Sequence, residues 1–174
     1  MLRRPPSSTL PLNLFPSTTI FRYNHSISLS GGMIDAEWDN GTIANDVDLG
    51  GLTPANVIKN SFSFNYSYDK LLANDMNLVA DMQLSYQGEG KSMPPWDSIN
   101  NPDYTVINLQ AGIIRGPWEF MLNLDNATDE NYYTDLENFP NFGFGSPDIE
   151  THPTIVIGTH GHPRIFSASL TYNF

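Results

Sequence analysis

Hydrophobic and polar residues alternate with period two in six stretches of the chain. The run PRIFSASLTYNF at residues 163–174 shows it most plainly. Phe166, Ala168, Leu170, Tyr172 and Phe174 alternate there with Ser167, Ser169, Thr171 and Asn173. Alternation of this kind predicts a β-strand with one apolar and one polar face. Five further strands are predicted on the same basis, at about residues 24–38, 59–68, 76–86, 104–115 and 118–125. In the third, Met76, Leu78, Ala80, Met82, Leu84 and Tyr86 oppose Asn77, Val79, Asp81, Gln83 and Ser85. No segment carries a persuasive helical period. The fold class predicted is all-β, an antiparallel up-and-down meander of about six strands.

The predicted connections are sorted by length. Residues 39–56, 87–103 and 126–163 form long loops, whereas 69–75 and the Gly116–Pro117 pair form short turns. Long loops at one end and tight turns at the other are the outer-membrane barrel pattern. A Greek-key sandwich has no reason to sort its loops in this way. The polar faces are mostly Ser, Asn, Gln, Thr and Gly rather than Lys or Glu, which suits a barrel lumen filled by water or by a plug. Tyr66, Tyr68, Tyr86, Tyr104, Trp118 and Tyr172 stand near strand ends, where an interfacial girdle places rings with one apolar and one wet side.

Composition narrows the function classes. The 174 residues carry a net charge of −11 with only 8 Lys and Arg, and no cysteine. Nucleic acid is a poor partner for such a chain. A disulfide framework, a thiolate metal site and a cysteine nucleophile are excluded. No apolar run is long enough for a transmembrane helix, which leaves membrane strands open. Residues 1–22 are rich in Pro, Ser and Thr and lack the compact apolar core of a signal peptide. They are expected to be a disordered leader or a stretch foreign to the native chain, with the barrel segment at 23–174.

Residues 102–135, PDYTVINLQAGIIRGPWEFMLNLDNATDENYYTD, resemble the closing hairpin of a TonB-dependent outer-membrane receptor. The pattern is carried by Tyr104, Asn108, Leu109, Gly112, Trp118, Asn123, Leu124, Asn126, Tyr132 and Tyr133. Asp125 stands where that family usually has Phe. GHPRIFSASLTYNF at 161–174 resembles the family's last strand, and the likeness extends upstream to about residue 24. The resemblance implies a partial segment of a 22-stranded transmembrane β-barrel in the cell outer membrane. It also implies that Tyr172 and Phe174 form a terminal signal for the barrel-assembly machinery. The intact parent would import a siderophore or another scarce nutrient. Its partners would be outer-membrane lipid, the rest of the barrel with its plug, and the energy-coupling TonB complex acting through that plug. Six strands without a plug would not transport alone. The alternative is a soluble secreted β-sandwich binding carbohydrate through Trp96, Trp118 and the Tyr-rich loops.

Candidate chemistry is sparse. The loop 126–163 holds Asp129, Glu130, Asp135, Glu137, Asp148 and Glu150, with His152, His160 and His162. His160 and His162 are weak candidates for a metal contact; a solvated outer loop is the favoured assignment, and no metal or other cofactor is expected. Trp96 in MPPWD, and Phe142 and Phe144 in FPNFGFG, are candidate ligand-contact residues. No nucleophile elbow, phosphate loop or partnered carboxylate pair is present, so the chain is not expected to be an enzyme.

Overall fold

A computed structural model describes residues 12–14, 18–44, 46–91, 99–139 and 155–174. Trp96, Phe142, Phe144, Asp148, Glu150 and His152 lie outside these residues. The fold is all-β and antiparallel. In chain order the strands are β1 (Leu12–Leu14), β2 (Thr18–Arg22), β3 (His25–Ile34), β4 (Ile43–Ala44), β5 (Val47–Asp48), β6 (Asn60–Leu71) and β7 (Met76–Gln87). They continue as β8 (Gly90–Lys91), β9 (Asn100–Asn101), β10 (Tyr104–Arg115), β11 (Trp118–Asp125), β12 (Tyr133–Phe139), β13 (Ile155–His160) and β14 (Ile165–Tyr172).

The main sheet runs β1-β3-β6-β7-β10-β11-β14, with β2 also pairing β3. Its six long members are the six strands that the alternation predicts. The expected count of about six is therefore low by the two short strands on the β3 edge. Residues 12–14 and 18–22, within the stretch expected to be foreign to the native chain or a disordered leader, pair antiparallel with Gly32–Ile34 and His25–Leu29. Each of β4–β5, β8–β9 and β12–β13 forms its own two-stranded sheet within one of the three long loops.

Short turns gather at one end of the main sheet. Tyr23–Asn24 joins β2 to β3, residues 72–75 join β6 to β7, and Gly116–Pro117 joins β10 to β11. The second is shorter than predicted because pairing continues past the alternating run, from Asp69↔Val79 to Leu71↔Asn77. Asn74 and Asp75 take φ of 63° and 55° there, a conformation that Asn and Asp adopt at low cost. Gly116, with φ 54°, precedes Pro117 as the first central residue of a type II′ hairpin.

Pairing register decides which side chains share a face. In β7 the outward row is Met76, Leu78, Ala80, Met82, Leu84 and Tyr86. These pair with Arg115, Ile113, Ala111, Leu109, Ile107 and Thr105 of β10. The row continues into Trp118, Phe120, Leu122 and Leu124 of β11, then Tyr172, Leu170, Ala168 and Phe166 of β14. On the other side it continues into Phe62, Phe64, Tyr66 and Tyr68 of β6, then Gly31, Leu29, Ile27 and His25 of β3. One apolar face thus spans six strands.

Nothing covers that face among the described residues. Among the described residues the buried hydrophobic ones are Ala36, Leu49, Met121 and Leu136. Ala36 and Leu49 lie in the connection between β3 and β6 and Leu136 in β12, while Met121 lies against Gly112 on the opposite face. Phe120, Leu122, Leu170 and Phe166 are exposed. The sheet is open, with β14 paired only to β11.

Candidate functional site

Charge is sorted between the two faces of the sheet. The apolar face carries no Asp or Glu on any of its six long strands. On those strands its full charges are Lys70 and Arg115, both at the short-turn end, where Arg22 of β2 continues the row beside His25. Rings crowd the same rim. Trp118 and Tyr172 meet edge to face at 4.7 Å, and Phe174 adds a third ring 5.1 Å from Tyr172. His25 stands 4.9 Å from the Tyr68 ring, and its Nδ1 lies 2.8 Å from the Tyr66 hydroxyl. Tyr86 occupies the opposite end of the face, beside Phe62 and Thr105. Tyr104 departs from the expected girdle. Its register partner is Gln87, so it stands on the polar face, donates to Gln87 Oε1 at 3.0 Å and packs on Tyr132 at 4.4 Å.

The polar face is a cross-strand ladder of neutral groups. Ser30 and Ser63 hydroxyls are 2.9 Å apart. Asn108 Nδ2 donates to Gln83 Oε1 at 3.4 Å, Gln110 Nε2 to Asn123 Oδ1 at 2.7 Å, and Asn123 Nδ2 to Ser167 Oγ at 3.3 Å. With Asp81 and Asp125, the Gln83, Asn108, Gln110, Asn123 and Ser167 side chains line an open cleft of about 360 Å³. The groups suit water or a polar surface, and no nucleophile–base pair stands among them.

At the long-loop end, the two segments that carry the family resemblance come together around Asn126. Asn126 is 1% exposed and takes φ 48°. Its Nδ2 donates to the carbonyls of Glu130 at 2.8 Å and His162 at 3.0 Å, and its Oδ1 accepts from Glu130 N at 2.8 Å. Asn126 N donates to Asn108 Oδ1 at 3.0 Å, which fixes the clasp to β10. Asp129 adds an ion pair to Arg164 at 3.2 Å; with both side chains about half exposed, it contributes little. Gly161 N donates to Tyr132 O at 2.9 Å, and a Cβ on Gly161 would enter the Tyr132 ring. Only glycine admits that ring.

The two candidate histidines border one cleft. His160 stacks on Tyr133 at 4.2 Å. Together with His162, Asp129 and Glu130 it borders an open cleft of about 460 Å³. No three His, Cys, Asp or Glu side chains converge among the described residues. Asn126 belongs to the motif that carries the resemblance, yet its buried position was not evident from sequence. One of its side-chain partners, the carbonyl of His162, lies 36 residues downstream. The side taken by Arg115 was legible, since it falls in the outward parity of 104–115; Lys70 fell in the expected turn 69–75, and only its pairing with Leu78 places it. No protein-family model matches the chain, and neither does any curated protein or solved structure.

Proposed function

We propose that this chain is a carboxyl-terminal β-barrel segment of a TonB-dependent receptor, seated in the cell outer membrane. Its apolar face meets lipid, and its polar ladder faces the lumen and plug. The observation that carries this is the uncovered, acid-free apolar face that runs in register across six long strands. A water-soluble sandwich must bury such a face against a second sheet. The dimensions agree with a bilayer. The outward row from Met76 to Tyr86 extends about 33 Å along the strand. At a tilt of about 45° that is about 23 Å, against a band of about 25 Å in outer-membrane barrels.

The open β14 edge leaves backbone N–H and C=O groups that have no partner in hydrocarbon. Further barrel strands would satisfy them, so the sheet is one arc of a larger wall. The parent receptor would import a siderophore or another scarce nutrient, coupled to the TonB complex through its plug. The barrel-assembly machinery would read Tyr172 and Phe174. The arc does not transport alone, and no enzymatic step is assigned to it.

The test is partition of the full chain. Diluted from urea, it is expected to precipitate in buffer and to float with phosphatidylcholine vesicles carrying a β-sheet spectrum. A monodisperse soluble monomer that unfolds cooperatively in buffer would instead establish the sandwich.

A further inference from the structure

We propose that the short-turn rim of the apolar face recognises anionic phospholipid headgroups, with Lys70 and Arg115 as the phosphate-binding groups and Trp118 and Tyr172 as the flanking rings. This rests on the lipid-facing assignment above and names the lipid. The chain carries a net charge of −11, yet the full charges on the apolar face of its six long strands are two cations at one rim, where Arg22 of β2 pairs with His25 in the same row. Both are exposed, and neither joins an ion pair among the described residues. The neighbouring strand acids, Asp69 and Glu119, pair with Val79 and Ile114 and so stand on the opposite face; Asp75 lies in the turn.

The geometry suits a headgroup. Lys70 pairs with Leu78 of β7, and Arg115 pairs with Met76 of the same strand. The two cations are therefore two strands apart and offset by two residues, which places their Cα atoms about 12 Å apart. Long basic side chains extend toward the interface while their stems stay on apolar surface. Arg offers a planar fork to phosphate and Lys a compact point charge. Trp and Tyr rings beside them fit the depth at which headgroups meet acyl chains. An acidic chain should otherwise avoid an anionic surface, so a local preference for one is diagnostic.

The experiment compares partition of the full chain into phosphatidylcholine vesicles and into vesicles containing 30% phosphatidylglycerol, at low and high salt. The native chain is expected to favour the anionic vesicles about tenfold at low salt, with the preference shrinking as salt rises. The double variant Lys70→Gln/Arg115→Gln should lose the preference while still binding neutral vesicles. The control pair Lys59→Gln/Lys91→Gln, near the long loops, should retain it. Equal partition of the native chain into both vesicles, or an undiminished preference in the double variant, overturns the proposal and leaves the lipid-facing assignment standing. Binding to neither vesicle overturns the lipid-facing assignment and this proposal with it.

Discussion

Leu109→Arg is expected to destabilise the vesicle-inserted chain by about 2–4 kcal/mol, the cost of a cation near the bilayer midplane of a β-barrel. Leu109 stands midway along β10, flanked by Met82 and Leu124 on the apolar face. Its immediate neighbour Gln110 faces the other way and donates to Asn123. Gln110→Arg removes one exposed hydrogen bond and is expected to cost under about 1 kcal/mol. Adjacent positions thus carry the same substitution with unequal outcomes. The measurement is denaturant-induced release of the full chain from phosphatidylcholine vesicles. Were the apolar face open to water, both variants would fall below about 1 kcal/mol, since Leu109 is already 38% exposed. Equal small effects would therefore remove the lipid from the picture.

Asn126→Ala is expected to cost about 3–5 kcal/mol locally. Three side-chain hydrogen bonds disappear, to the carbonyls of Glu130 and His162 and from Glu130 N. Each of these bonds contributes a net of about 0.5–1.5 kcal/mol. The φ of 48° adds strain of about 1 kcal/mol for alanine that asparagine largely avoids. Asn126→Gly separates the two contributions, because glycine loses the bonds without the strain. Amide hydrogen exchange is the readout. Protection at Glu130 and Gly161 should fall steeply in Asn126→Ala, and slightly less in Asn126→Gly. Protection in the middle of β7 should hold. Loss spread evenly over the sheet would show that Asn126 is not a local clasp.

The long strands were legible because burial on one face enforces period two. Met76–Tyr86 and Phe166–Tyr172 spell their own orientation. Their limits were less legible, since pairing runs past the alternating residues, as at Asp69–Leu71, or stops before them, as at Ile34. Tyr104 illustrates a subtler failure. Tyr104 and Val106 share parity with Asn108 and Gln110, so the polar row of β10 begins with two apolar side chains. Only the partner Gln87 places the tyrosine. The ribbon β12–β13 escaped notice because Ile155, Val156 and Ile157 form an unbroken apolar run, which periodicity cannot assign. The strands β1 and β2 lay hidden among Pro and Ser residues that read as leader. Of the candidate site, residue types were visible and contacts were not. Asn126 meets His162, and Asp129 meets Arg164, across more than thirty residues of chain. No local spacing reports such a meeting.

The central claim is that even-numbered residues of β7 touch lipid. The chain has no cysteine, so one cysteine placed at each β7 position in turn carries a single bimane fluorophore. Quenching is then read in vesicles with brominated acyl chains. Strong quenching is expected at Leu78, Ala80, Met82 and Leu84, with weak quenching at Val79, Asp81, Gln83 and Ser85. Uniform quenching along β7, or none at the even positions, would contradict a lipid-facing sheet.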